Sequence, residues 1–172
     1  EHRHRPRAVY EKFDLGWSLA EWSGLRAALR ARGFAPEQGM AVGLLTKGDK
    51  GNAYDRSRGR LMFPIKNLSG QVIAFGGRII GDEDAAKYIN STDTPLYKKG
   101  DNLYGLFQAR RGIAAQKSAI LTEGYMDVLT LHQYGYKNAC GVLGTAMTPE
   151  QVRRLTGFCS RLELIFDGDA PG

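Results

Sequence analysis

The sequence predicts a mixed α+β front part built on a β-hairpin, followed by a parallel α/β module. Three observations predict it. Leu61-Met62-Phe63-Pro64-Ile65 and Gln71-Val72-Ile73-Ala74-Phe75 flank the turn-rich Lys66-Asn67-Leu68-Ser69-Gly70, the pattern of an antiparallel hairpin. After Lys117, short apolar runs alternate with amphipathic stretches, the pattern of strand–helix units around a parallel sheet. The charge changes at the same point: residues 1–117 hold 20 Lys and Arg against 12 Asp and Glu, and residues 118–172 hold 4 against 6. A domain boundary is therefore expected near Gln116-Lys117.

Taken in order, Glu1-His2-Arg3-His4-Arg5-Pro6-Arg7 is basic with no apolar run behind it, as in a frayed end or a linker. A helix is predicted from Trp17 to Gly33. Ser18 is its N-cap, and Glu21, three residues on, completes a capping box. Trp22, Leu25 and Leu29 line one face, Arg26, Arg30 and Arg32 lie off it, and Gly33 supplies the stop. Pro36 starts a second short helix toward Leu44-Leu45, and residues 46–52 form an exposed turn. Pro64 has no N–H to give a ladder, so the first hairpin strand is at an edge or bulged there. Gly76-Gly77 allows close approach of a neighbour or ligand before Arg78-Ile79-Ile80. Residues 81–102 are mostly loop, and 103–111 a short helix. Then follow a strand through Leu121, a helix over 126–134, a strand over 138–143, a helix over 149–157 and a strand over 161–166. Thr148, Pro149 and Gln151 are placed as N-cap, N1 and N3 of the last helix.

Composition limits the function classes. With 172 residues, 42% of them hydrophobic, the chain can build a real core. It holds no apolar run near the roughly 20 residues of a membrane span and no segment with signal-peptide anatomy. Cys140 and Cys159 lie far from any zinc-ligand spacing and read as small buried hydrophobes of a reducing compartment, so a cytoplasmic protein without zinc in this stretch is expected. The basic excess of the front part suits a polyanionic partner.

The acids point to the chemistry. Glu123 follows the run Ala119-Ile120-Leu121, and Asp167-Gly168-Asp169 follows Leu162–Phe166. In open α/β sheets ligands bind beyond the carboxyl ends of strands, where such acids can converge. Three carboxylates form an oxygen-rich site suited to Mg²⁺, and two acids that close repel unless a cation lies between them. Arg56, Arg58 and Arg60 alternate, so on a strand all three face one side, as in a row of backbone phosphate contacts. Arg78, after two glycines, suits a phosphate approached closely, whereas Lys98-Lys99-Gly100 alone is an ordinary basic loop. His132 reads as a surface or core-edge residue. Trp17 and Trp22 could stack on bases or complete a helix core stripe.

Glu123-Gly124-Tyr125-Met126-Asp127, Leu143-Gly144-Thr145 and Phe166-Asp167-Gly168-Asp169 resemble the Toprim domain of bacterial replicative primases. Upstream, Tyr54-Asp55-Arg56-Ser57-Arg58-Gly59-Arg60, Leu61–Ile65, Phe75-Gly76-Gly77-Arg78, Lys87-Tyr88-Ile89-Asn90-Ser91, Lys98-Lys99-Gly100 and Leu103-Tyr104-Gly105 resemble the basic subdomain of the same enzymes, in their order. The resemblance covers about residues 54–172. It implies a basic primase-core subdomain over 1–117, with template and nucleotide contacts, and a partial, truncated Toprim module over 118–172. It implies RNA primer synthesis on single-stranded DNA by metal-dependent nucleotidyl transfer, in the bacterial cytoplasm at the replication fork. Glu123, Asp167 and Asp169 would hold Mg²⁺ or Mn²⁺, with Asp127 supporting. Arg56, Arg58, Arg60, Arg78, Lys87, Tyr88, Asn90 and Lys99 would meet template or triphosphate. The implied partners are single-stranded DNA, ribonucleoside triphosphates, the RNA primer and, through a domain absent here, the replicative helicase. The sequence ends before the family's second acidic pair, so the fragment alone is expected to be inactive or weakly active. The alternatives are a non-catalytic single-strand-binding module and another Toprim protein, a nuclease or topoisomerase.

Overall fold

The computed structural model describes residues 6–49, 51–81, 86–144 and 147–166. They fall into two compact units, one of Leu15–Pro64 and Ile73–Lys98, the other of Glu1–Asp14, Ile65–Val72 and Lys99–Gly172. Residues just before the boundary expected at Gln116-Lys117 cluster with those after it, because Leu103-Tyr104 and Ser118–Thr122 lie in one sheet.

The chain opens with α1 (Pro6–Lys12), part of the second unit. Most of the basic stretch expected to fray, residues 1–5 of Glu1–Arg7, lies outside the described residues; after it Val9 and Phe13 are buried, and an apolar seat of this kind is what orders a short N-terminal helix.

In the first unit come β1 (Gly16–Ser18), α2 (Gly24–Ala31), α3 (Pro36–Ala41), β2 (Leu45–Lys47), β3 (Ala53–Asp55) and β4 (Arg60–Lys66), whose Ile65 and Lys66 group with the other unit. β5 (Val72–Arg78) and β6 (Tyr88–Asn90) complete a sheet of order β1-β4-β5-β6. The hairpin of β4 and β5 is present as expected. Asn67 closes it, its side-chain oxygen accepting the N–H groups of Ser69 and Gln71, both at 3.0 Å, and Gly70 turns with φ +88°. Pro64 lies beyond Met62, the last residue of β4 registered against β1, so its missing N–H is not demanded by that neighbour.

The helix expected over 17–33 is corrected. Trp17 and Ser18 are an edge strand, and α2 begins only at Gly24. Ser18 does not cap a helix. Its hydroxyl accepts the Arg60 N–H at 2.9 Å and donates to the Arg60 carbonyl at 3.2 Å, so pairing with β4 claims it. Gly33, with φ +83°, does end α2. The turn expected over 46–52 is the tip of an antiparallel β2–β3 hairpin, and the loop expected over 81–102 contains β6, paired with β5 from Gly76↔Asn90 to Arg78↔Tyr88.

The second unit is an α/β layer. It consists of β7 (Leu103–Tyr104), α4 (Leu106–Gln116), β8 (Ser118–Thr122), α5 (Tyr125–Gln133), β9 (Ala139–Val142), α6 (Pro149–Thr156) and β10 (Arg161–Ile165). The sheet order is β10-β8-β9-β7, with β8 parallel to both β10 and β9. β7 is antiparallel to β9, pairing Leu103 with Val142, and takes residues where only helix was expected. Every residue of β8 and β9 is buried, as befits central parallel strands covered on both faces. Leu103, Leu106, Ala109, Ile113, Leu121, Cys140 and Leu155 form the core. The α6 start follows the expected cap: Thr148 Oγ1 accepts the Gln151 N–H at 3.2 Å, and Gln151 Oε1 accepts the Thr148 N–H at 3.0 Å. Among the described residues no helix is long and apolar enough to cross a membrane.

Candidate functional site

β8 delivers its carboxyl end to Glu123, which is exposed one residue past the buried strand. Gly124 follows as N-cap of α5 in extended conformation, and Asp127 occupies the N3 position. The Asp127 carboxylate folds back over Gly124, where an added Cβ would meet Oδ2 at 2.5 Å, so a side chain at 124 would displace it. An acid in the first turn also suits the helix dipole. Parallel β10 pairs Ile165 with Thr122, so the chain reaches Asp167 two residues after a partner next to Glu123. Asp167 and Asp169 themselves lie outside the described residues. Among the described residues no three His, Cys, Asp or Glu side chains group as a metal site. The donor that is described fits a hard divalent cation: an accessible carboxylate at the mouth of parallel strands, with a second carboxylate on the adjoining helix turn.

The arginines gather at a turn and at the start of β4. β3 ends at Asp55 and β4 starts at Arg60, so Arg56, Ser57, Arg58 and Gly59 form a turn, with Gly59 at φ +56°. That turn still brings Arg56, Arg58 and Arg60 around one pocket of about 260 Å³, floored by Ile79 and Ile89. Their roles diverge. Arg60 is only 5% exposed, and its guanidinium donates to the Ala86 carbonyl at 2.9 Å, holding the approach to β6. Arg58 lies over Trp22, its guanidinium carbon 3.9 Å from the ring centre. Arg56 reaches the Asn90 carbonyl at 3.5 Å, while its Nε is buried without a hydrogen-bond partner among the described residues. A buried donor left open is a demand for an acceptor.

Arg78 and Tyr88 are registered opposite each other on β5 and β6, with the guanidinium carbon 5.4 Å from the ring centre. Lys87 precedes that pair and its carbonyl accepts the Ile79 N–H at 3.0 Å. Asn90 is registered against Gly76. The neighbouring Gly77 is needed for packing: a Cβ there would meet Arg60 Cδ at 3.2 Å. Lys99 belongs to the other unit, at the start of a 3₁₀ turn (Lys99–Asp101). α6 clamps that turn: Thr148 Oγ1 donates to the Gly100 carbonyl at 2.5 Å, and buried Gln151 Nε2 donates to the Asn102 carbonyl at 2.9 Å.

Cys140 is buried in the core and its thiol is pushed up to about 12, by burial first and by Cys159 second. Burial raises Cys159 as well, so neither is an activated thiol. His132, expected at the surface or core edge, is fully buried. Its Nε2 is 2.9 Å from the Ala139 carbonyl and its Nδ1 3.3 Å from Lys12 Nζ. A carbonyl only accepts and an ammonium only donates, so Nε2 carries the proton.

Two residues quoted within motifs were given no role of their own from the sequence. Ser91 Oγ bonds both the N–H and the carbonyl of Phe75 at 3.0 Å, fixing the end of β6. Asp55 organises the arginine turn through contacts no spacing announces. Its only signal was an acid immediately before three alternating arginines.

Comparison with known proteins places the chain in one family. Residues 1–110 match the family model for the DNA primase catalytic core, N-terminal domain, and residues 117–172 match that for the Toprim domain. The DNA primase of Deinococcus radiodurans is 41% identical over 93% of the chain, which covers 28% of that protein. The chain thus spans under a third of the length of such relatives. The RNA polymerase domain of the Mycobacterium tuberculosis primase DnaG superposes with a TM-score of 0.86 at 37% identity, covering 94% of this chain and 55% of that one. A DnaG primase catalytic domain solved with single-stranded DNA bound superposes with a TM-score of 0.84 at 37% identity, covering 95% and 50%.

Proposed function

Since the chain belongs to the bacterial DNA primase catalytic-core family, we propose that it forms the template-binding part and the first half of the metal-binding part of an enzyme that synthesises RNA primers on single-stranded DNA. The observation that carries the catalytic half is the placement of Glu123, accessible at the carboxyl end of buried β8, with parallel β10, registered to Thr122 at Ile165, preceding Asp167-Gly168-Asp169 in the sequence. Glu123, Asp167 and Asp169 would hold Mg²⁺ or Mn²⁺, with Asp127 as support. When bound, the ion neutralises triphosphate charge and eases ionisation of the attacking hydroxyl.

The chain's own residues bind and orient. Residues 1–117 supply the basic contacts, and 118–172 the acids. Arg56 and Arg58, which line the pocket at this turn, offer donors to template phosphates, and buried Arg60 stiffens the turn that presents them. Arg78, Lys87, Tyr88 and Asn90 extend the polar set along the β5–β6 pair, and Lys99 is presented by the turn that α6 clamps. Single-stranded DNA, ribonucleoside triphosphates, the growing primer and a replicative helicase are the partners of this activity.

The test is template-directed synthesis by the full-length polypeptide carrying this sequence, with ribonucleotides and Mg²⁺ or Mn²⁺, beside Glu123→Gln. Short RNA that falls about 100-fold or more in the variant, while DNA binding persists, supports the assignment. Binding without RNA from either form leaves a strand-binding module. RNA synthesis unaffected by Glu123→Gln removes the metal role.

A further inference from the structure

We propose that Trp22 is a base-stacking residue for single-stranded nucleic acid, with the adjoining cleft receiving the stacked nucleotide. The inference rests on the template-binding role above and adds to it a residue that reads bases rather than phosphates.

The chain has two tryptophans. Trp22 belongs to no helix stripe: it precedes α2 and is 63% exposed, so core packing does not account for it. Yet it is held firmly. Its carbonyl accepts the Asp55 N–H at 2.9 Å. The Arg58 guanidinium covers one face of the indole, and Tyr54 stands 5.2 Å away, centre to centre, at an interplanar angle of 59°. Arg58 is itself tied by a hydrogen bond to the Asp55 carbonyl. An indole anchored at its backbone and backed by a cation loses little freedom when a ligand stacks on it.

The surroundings select the ligand. Trp22 and Tyr54 border a cleft of about 530 Å³ whose rim carries Arg26 and Lys47, within the roughly 300–1,000 Å³ of small-ligand sites. Asp49 is the single acid in its lining. Aromatic faces with cations at the rim suit a base and its phosphate, and every base offers a π-face.

The experiment uses the chain with Trp17→Phe, so that Trp22 alone emits, titrated with an end-labelled oligothymidylate at low salt. Quenching of Trp22 that saturates together with the polarisation of the label is the expected result. Trp22→Ala should weaken binding about fivefold or more, with Trp22→Phe recovering most of the loss. An abasic oligonucleotide of equal length should bind Trp22→Ala and the parent equally. Binding without quenching, or an equal loss on abasic and base-bearing strands, would overturn the stacking role while leaving template binding intact. No change in polarisation at all would overturn the template-binding role, and stacking with it.

Discussion

The Asp55 carboxylate accepts the backbone N–H of Leu25 at 2.7 Å from 30 residues away, and that of Arg26 at 2.9 Å. The first turn of α2 is therefore held by a buried acid on β3, while Ser23, its nominal N-cap, makes no side-chain capping bond. The same residue binds the Trp22 carbonyl through its N–H and Arg58 through its carbonyl. One aspartate thus sets the helix start, the exposed indole and the arginine beside it.

Asp55→Ala should lower the stability of the chain by about 2 kcal/mol, the combined loss of a cap and of charged hydrogen bonds inside the protein. Asp55→Asn, which keeps one acceptor, should cost less. Urea unfolding checks both, and an unchanged midpoint for the alanine variant would refute the anchoring role.

Two glycine replacements should have opposite signs. At Gly112, in α4, an added Cβ would meet the Lys137 carbonyl oxygen at 2.5 Å and its carbon at 2.7 Å. Backbone cannot yield as a side chain does. Overpacking of about 1–3 kcal/mol should outweigh the roughly 1 kcal/mol of helix propensity that alanine brings. At Gly157, just past α6 with φ −72°, nothing lies within 4 Å. Gly157→Ala should be neutral or stabilising by up to about 1 kcal/mol. Melting curves of the two variants should move in opposite directions, and a stabilised Gly112→Ala would contradict the contact.

His132 makes stability depend on pH. Burial lowers it to about 4 and Lys12 and Lys137 add to the drop, against the Ala139 carbonyl, which pulls it up; the Phe13 ring packs edge-on. A folded-state value below the ordinary one near 6.5 means that the unfolded chain binds the proton more readily. The stabilisation is complete above pH 6.5 and is lost as pH falls toward 4. At most, the slope is about 1.4 kcal/mol per pH unit. His132→Gln should flatten that part of the profile, and an unaltered acid limb would assign it to other groups.

Legibility followed locality. In the second unit β8 and β9 are short apolar runs covered on both faces, and helix starts carry their own signals, such as Thr148-Pro149-Glu150-Gln151. Expected and observed elements there agree to within a residue or two from β8 to β10. The misplaced helix over 17–33 failed for the opposite reason. Ser18 and Glu21 spell a capping box, but the backbone of residues 60–62, forty residues on, captured Gly16–Ser18 as a strand. The three arginines alternated as on a strand, yet only Arg60 lies on one and a turn carries the other two. Glu123 could be singled out because a strand end announces itself; the work of Asp55 and the exposure of Trp22 could not.

By itself, then, the amino-acid order determined what each local segment can do: which runs become strands, where caps start a helix, and which end of β8 offers a carboxylate. Tertiary structure alone decided which of several locally allowed partners each polar group would take. Ser18 chose β4 over a helix, Asp55 chose α2 over an arginine, and Arg60 turned inward to a carbonyl while Arg58 covered an indole. Hydrogen-bonding groups must be satisfied once buried, and which groups are buried together is fixed only when distant segments meet.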